Sequence, residues 1–143
     1  MEIHNPKEAF DFILKLTGWS PEIGEHGEYL VELDSGVLSF YSPDAVCIII
    51  QQKLKSLPED EPDRSSMCRE IAKLNAGLVK LSRCRIVLNG QDVILEQVLL
   101  PIEINESHID EVFEDFLNDF DYIKGRLENS VTASPFSAMQ FFL

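Results

Sequence analysis

The sequence predicts an α+β domain in which an antiparallel sheet of about five strands packs with three helices, in the order α-β-β-β-α-β-β-α. Residues 28–51 hold three short alternating segments joined by tight turns, and residues 83–100 form a hairpin signature. Apolar stripes at helical spacing precede, separate and follow these segments. No strand–helix–strand repeat occurs, which argues against a doubly wound parallel sheet. We expect one domain at 1–128, followed by an apolar tail at 129–143.

The composition is that of an acidic globular protein. The 143 residues carry a net charge of −13, which repels phosphate backbones and anionic surfaces, so nucleic-acid binding is not expected. No segment approaches the roughly 20 apolar residues that span a membrane, and the N-terminus lacks the basic and apolar regions of a signal peptide. We therefore expect a cytoplasmic protein without membrane insertion.

Residues 6–17 predict the first helix. Asn5 can cap it, Pro6 suits its first position, and Gly18 follows as a stop. Its apolar stripe consists of Phe10, Ile13 and Leu14. The apolar arc is wider than packing on one core surface requires. It fits a helix held between sheet and loop, and it equally fits a helix that keeps one face for a partner.

Three strands are predicted next, joined by the turns at Asp34-Ser35-Gly36 and Ser42-Pro43-Asp44. The strands are Glu28–Leu33, Val37–Tyr41 and Ala45–Gln51. Alternation in the third strand places three apolar side chains on one face, namely Val46, Ile48 and Ile50. Tight turns between neighbouring strands predict an antiparallel meander.

A second helix is predicted from a cap at Ser65 or Ser66 to about Leu81. One clean apolar stripe follows its axis and consists of Ile71, Leu74, Leu78 and Leu81. Small residues flank this stripe, and they would let another helix approach closely. That approach could serve a dimer contact, or equally the hairpin that follows.

The hairpin is predicted around Asn89-Gly90, because both central positions of a type I′ turn need φ > 0 and these two residues adopt it at low cost. The strand after the turn is apolar on both faces as far as Leu100, and Pro101 ends it. Such a strand needs cover on both sides, from a helix and from something else.

The third helix is the strongest periodic signal in the chain. Ser107 can cap it with Asp110 in a capping box, and one apolar face continues to Leu127 with carboxylates largely off that face. The tail at 129–143 is rich in large apolar residues. It could dock on its own domain, on a sister subunit, or in a groove that a partner would otherwise occupy.

The usual short catalytic motifs are absent, and the histidines and cysteines have no metal-ligand spacing. Three separate cysteines are expected to be free thiols, namely Cys47, Cys68 and Cys84. We therefore predict no catalytic residues, no cofactor and no metal site. A small enzyme without short motifs stays as an alternative.

From residue 68 onward the order of elements carries recognisable motifs. Cys68–Leu78 reads CREIAKLNAGL with an L-N-A core, the hairpin closes on Leu100-Pro101, and the last helix carries Phe113, Phe116 and Phe120. This order resembles the class I type III secretion chaperones, the Tir-chaperone-like family. The likeness covers roughly residues 6–128. It departs in the apolar tail and in lacking the usual Gly before the hairpin. YbjN-like domains have a similar layout.

The resemblance implies a homodimeric cytoplasmic chaperone without ATPase activity, which binds the extended N-terminal segment of a secreted effector and keeps it competent for export. On that reading the partner-binding residues are Phe10, Ile13, Leu14, Val46, Ile48 and Ile50. The dimer interface would use Ile71, Leu74, Leu78 and Leu81. A YbjN-like layout implies instead an adaptor or regulatory domain that binds a folded partner.

Overall fold

Six antiparallel strands and three helices form the fold in the computed structural model, which describes residues 3–81, 83–100 and 104–142, excluding the side chains at 79–81 and 129–142. The helices are α1 (Pro6–Thr17), α2 (Glu61–Leu81) and α3 (Ile109–Phe142). The strands are β1 (Glu22–Ile23), β2 (Tyr29–Leu33), β3 (Gly36–Tyr41), β4 (Ile48–Ser56), β5 (Cys84–Asn89) and β6 (Asp92–Leu99). The predicted α+β class is confirmed, with the two-residue β1 as an additional strand.

The sheet has the strand order β1-β2-β3-β4-β6-β5. Its two long strands, β4 and β6, pair in the middle from Ile48 opposite Leu99 to Ser56 opposite Asp92. A bulge at Leu54 interrupts this register, and it lets the strand keep that side chain in the core. The edges of the sheet are therefore β1 and β5.

Helix α1 has the predicted bounds and both predicted caps. The side chain of Asn5 accepts a hydrogen bond from the backbone N–H of Glu8 at 2.9 Å, which satisfies one of the free donors of the first turn. At the other end Gly18 adopts φ +74° and its N–H donates to the carbonyl of Leu14. Local sequence alone thus fixes both ends of this helix.

The third predicted strand begins later than expected. The carboxylate of Asp44 accepts hydrogen bonds from the backbone N–H groups of Val46 and Cys47, both at 2.9 Å, and Ala45 adopts φ +59°. This turn takes residues 44–47 out of the strand. The prediction of a strand at Ala45–Gln51 is wrong at its start, and Val46 lies in a loop.

Helix α2 begins at Glu61, one turn before the predicted caps at Ser65 and Ser66. Pro62 is tolerated there because the first turn has no internal partner for its missing N–H. The N–H of Arg64 already donates to the carbonyl of Asp60 at 2.8 Å. The acidic, proline-containing segment is therefore partly helix rather than only a loop.

The hairpin between β5 and β6 is confirmed, but its turn is shifted by one residue. Asn89 pairs with Asp92, so the two loop residues are Gly90 and Gln91, and Gly90 has φ +62°. A glycine at the first loop position is typical of a type II′ turn. The predicted type I′ turn at Asn89-Gly90 is wrong. Pro101 lies outside the described residues.

Helix α3 starts at Ile109, and Asn105 rather than Ser107 organises its entry. The side chain of Asn105 accepts the N–H of Ser107 at 3.1 Å, and its carbonyl accepts the N–H of Ile109 at 3.0 Å. The helix continues to Phe142, so the predicted tail is helical up to that residue. Leu143 lies outside the described residues.

One hydrophobic core lies between the sheet and the helices. The apolar face of α3 is buried as predicted, at Ile109, Phe113, Phe116, Phe120, Ile123 and Leu127. Phe40 on β3 stands at the centre of an aromatic cluster, with ring centroids 5.1 Å from Phe10 and 5.4 Å from both Tyr29 and Phe113. These contacts join α1, the sheet and α3.

Candidate interaction surfaces

The face of the sheet opposite the core, called the open face below, carries a second set of apolar side chains. They are half-buried or exposed: Leu30, Val37, Tyr41, Ile49, Val87, Ile94 and Val98. Strand alternation puts them there, and none belongs to the core cluster or packs against it. Within the part of the chain that the structure describes, the helices pack on the other side or along the β5 edge. Among the described residues, the cover that the sequence predicts for both sides of β6 is present on one side.

A polar network lies in the middle of the open face. Glu96 on β6 accepts a hydrogen bond from the Nε of Arg85 on β5 at 2.9 Å, and the amide of Gln51 on β4 donates to its other oxygen. The side chain of Glu96 is 10% exposed, whereas that of Arg85 is 63% exposed. A buried carboxylate is tolerated only with such partners. The network therefore places one exposed guanidinium among the apolar side chains of the open face.

Tyr41 contributes a hydroxyl to the same face. Burial raises the pKa of the Tyr41 phenol, and the negative charge of Glu96 raises it further. The phenol is consequently protonated at neutral pH and presents an O–H donor. Its neighbours in register, Ile49 and Val98, complete a row of large side chains across three strands.

The edge at β5 is closed by Asn75 of α2. The N–H of Ile86 donates to Oδ1 of Asn75 at 2.7 Å, and Nδ2 of Asn75 donates to the carbonyl of Ile86 at 2.9 Å. One side chain thus acts as the missing neighbouring strand at this position. The sequence pattern marks Asn75 only as part of the L-N-A motif and does not predict its role at the sheet edge. The signal that could have found it is an amide beside an apolar stripe, just ahead of a hairpin.

The opposite edge is only partly paired. The two residues of β1 pair with Tyr29 and Leu30, so within the sheet the rest of β2 is bonded to β3 alone. An extended segment adds to a sheet at an edge of this kind.

A pocket of about 220 Å³ lies beside the start of α1. Its walls come from the N-terminal segment, the loop before β4 and the segment before α3: Ile3, His4, Asn5, Pro6, Ala45, Val46 and Ile104.

Two titratable groups lie in the loop before β4. Backbone hydrogen bonds from Cys47 and then Val46 lower the pKa of Asp44, which keeps this carboxylate charged. Burial and the contact with Asp44 raise the pKa of the Cys47 thiol, so it is protonated at neutral pH.

Most of the predicted partner-binding residues are core residues of their own domain. Four are at most 6% exposed, namely Phe10, Ile13, Ile48 and Ile50, and Leu14 is half-buried against them. Val46 differs, since it is 52% exposed and lines the pocket. The structure therefore brings the first group together in the core and leaves Val46 at a surface.

The predicted dimer residues of α2 face the same core. Ile71 is 6% exposed, and Leu74 and Leu78 are half-buried and packed on the core cluster. The side chain of Leu81 lies outside the described residues. The stripe is thus largely occupied by packing within one chain, and its use by a second chain stays a prediction.

The described residues offer no candidate for two other kinds of site. They contain no group of three or more histidine, cysteine or acidic side chains placed to hold a metal ion. Nor does any helix among them combine the length and the apolar character needed to cross a bilayer. Comparison with known proteins finds no matching family model and no curated protein with significant similarity.

We expect Ala45→Gly to raise the free energy of unfolding by about 1 kcal/mol, because glycine removes the steric cost of φ +59°. The matched control is Ala76→Gly in the exposed interior of α2, which we expect to lower it by about 1 kcal/mol. Urea denaturation followed by circular dichroism measures both. An equal decrease in the free energy of unfolding for the two variants would show that the backbone at Ala45 is not strained.

Proposed function

We propose that the protein is a chaperone that binds the extended N-terminal segment of a secreted effector and keeps it competent for export without ATP. The order of helices and strands supports this, since it matches that of the secretion chaperones that the sequence resembles, apart from the additional strand β1. The observation that carries the proposal is the pocket beside α1. It is a preformed recess at the edge of the core, with apolar and polar walls, and one predicted partner-binding residue lines it.

The pocket suits one apolar side chain of an extended segment. Ile3, Val46 and Ile104 provide apolar walls, while Asn5 is engaged in capping α1 and holds the rim in place. An extended chain presents every second side chain to one surface, so a single anchor in the pocket fixes its register.

The charge of the protein supports the same function. A net charge of −13 keeps a protein soluble while it holds an apolar segment of another chain, and it favours a basic partner over an acidic one. The exposed side of α3 contributes many of these carboxylates, namely Asp110, Glu111, Glu114, Asp115 and Asp121.

The test is an affinity purification of the tagged protein from its native cells, with the bound proteins identified by mass spectrometry. We expect one stoichiometric partner, lost when the N-terminal segment of that partner is deleted and strongly reduced by Val46→Asp. Leu16→Asp is the matched control, because Leu16 is 54% exposed on α1 and is not among the residues that line the pocket. This variant should retain the partner.

Two results would contradict the proposal. Recovery of the protein alone would reject a cargo chaperone. Recovery of a folded partner that binds without its N-terminal segment would favour the YbjN-like adaptor function instead.

A further inference from the structure

We propose that Asn89, at the tip of the β5–β6 hairpin, is a site of spontaneous deamidation, in which its amide becomes aspartate or isoaspartate through a cyclic imide formed with Gly90. The inference is independent of the cargo proposal, because it concerns another part of the chain and requires no partner protein. Asn89 is exposed, and Gly90, the residue that follows it, is exposed as well.

The backbone nitrogen of Gly90 is accessible to the Asn89 side chain. Gly90 has no Cβ to shield that nitrogen, and beyond its chain neighbours no heavy atom lies within 4 Å of the position that a Cβ would take. In the part of the chain that the structure describes, no group is hydrogen-bonded to the Asn89 side-chain amide. Asn89 and Asp92 form the last pair of the ladder, which opens more readily than the pairs within the strands. Ring closure therefore needs only this last pair to open.

The reaction uses water as its one co-reactant. The nitrogen of Gly90 attacks Cγ of Asn89, the bond from Cγ to Nδ2 breaks, and Nδ2 leaves as ammonia with the proton that the attacking nitrogen gives up. Water then opens the imide ring. Its addition at Cγ gives aspartate, whereas its addition at the main-chain carbonyl carbon gives isoaspartate, in which the backbone runs through the former side chain.

The other asparagines whose side chains the structure describes lack these conditions. Asn5 precedes a proline, whose nitrogen carries no hydrogen to lose. Both polar atoms of the Asn75 side chain are hydrogen-bonded at the edge of the sheet. Oδ1 of Asn105 accepts a backbone N–H at 3.1 Å. Asn118 lies inside α3, where the nitrogen that follows it is held in the helical ladder. The structure thus favours reaction at Asn89.

Either product places a new carboxylate near Asp92. Asn89 and Asp92 are opposite each other in register, and Asp92 already pairs with Lys53 at 3.1 Å. Like charges directly opposite each other on paired strands are destabilising. The change also adds one negative charge to a chain of net charge −13. The aspartate product therefore weakens the pairing at the tip of the hairpin.

The isoaspartate product has a larger effect, because it lengthens the main chain next to the two-residue loop. Gln91, the second loop residue, attaches the hairpin to the start of α2. Its carbonyl accepts the N–H of Leu57 at 2.7 Å, and its side-chain oxygen accepts a hydrogen bond from Arg64. Loop length determines turn type and register. The additional main-chain atom displaces Gln91 from both partners, so slow conversion releases the hairpin from the start of α2.

The test is prolonged incubation of the folded full chain at mildly alkaline pH, followed by proteolysis, chromatography that separates aspartate from isoaspartate peptides, and mass spectrometry. We expect conversion at Asn89 to be at least about tenfold faster than at Asn75 or Asn118, because only Asn89 precedes a glycine. Asn89→Gln should abolish conversion at this position over the same period, since a longer side chain closes its ring far more slowly. The matched control Asn118→Gln should leave the rate at Asn89 unchanged.

Hydrogen exchange measures the structural consequence. The isoaspartate form, isolated by chromatography, should exchange the Leu57 amide at least about tenfold faster than the unmodified chain, because that amide has lost its acceptor. Asn89→Asp adds the charge without lengthening the main chain, and it should keep Leu57 protected.

Three outcomes would overturn the inference. One is conversion at Asn89 that is no faster than at Asn118. Another is conversion that occurs only when the chain is denatured, which would mean that the folded hairpin prevents ring closure. The third is an isoaspartate form in which Leu57 stays protected, which would reject release of the hairpin from the start of α2.

Discussion

Phe40→Ala is expected to lower the free energy of unfolding by about 3–5 kcal/mol, the range for removing a buried aromatic ring. The ring is fully buried and contacts Phe10, Tyr29 and Phe113 at centroid distances of 5.1 to 5.4 Å. Its loss leaves a cavity where helix α1, the sheet and helix α3 meet, so neighbouring elements cannot collapse into it without shifting. Urea denaturation followed by circular dichroism measures the change.

The control for Phe40 lies on the same strand. Val37 points to the open face and is 48% exposed, so Val37→Ala should change stability by no more than about 0.5 kcal/mol. A similar decrease in the free energy of unfolding for Phe40→Ala and Val37→Ala would mean that the core does not centre on Phe40.

Asn75→Ala is expected to cost about 2–3 kcal/mol, because it removes both hydrogen bonds to Ile86 and leaves the N–H and C=O of that residue without their partners. The amide of Ile86 should also exchange with deuterium faster than in the wild type. Loss of stability by denaturation and loss of protection at this single amide are the two measurements.

A matched variant separates this role from helix propensity. Asn118 is exposed on α3, and Asn118→Ala should be neutral or slightly stabilising, since alanine is the better helix former. If Asn75→Ala behaves like Asn118→Ala and Ile86 stays protected, the side chain does not close the sheet edge.

The sequence predicted the elements whose causes are local. Asn5, Pro6 and Gly18 determine α1 through contacts within a few residues, and the periodicity up to Leu127 identifies the buried face of α3. The start of β4 was predicted too early, because the side chain of Asp44 accepts hydrogen bonds from the backbone that would otherwise continue the strand. The two residues of β1 are too few to show alternation.

The candidate site was less predictable than the fold. Apolar residues at regular spacing identify a buried face, but they do not say whether the chain itself or a partner buries it. Ile13 and Ile48 are buried by their own domain, whereas Val46 lies at a pocket because a turn removed it from the strand. The open face depends on the described helices lying on one side of the sheet, a tertiary arrangement that the alternation within each strand does not contain.

The central pairing of β4 with β6 has a consequence for the order of folding. These strands are separated in the chain by α2 and β5, so their contact closes a long loop, as between Ile48 and Leu99. The meander β2–β3–β4 and the hairpin β5–β6 can each form from neighbouring residues, and the seam between them forms when the two meet. During synthesis the meander leaves the ribosome first, with one edge of β4 unpaired until the hairpin arrives. The interval between those two events is when this chain is most exposed to pairing with the wrong strand.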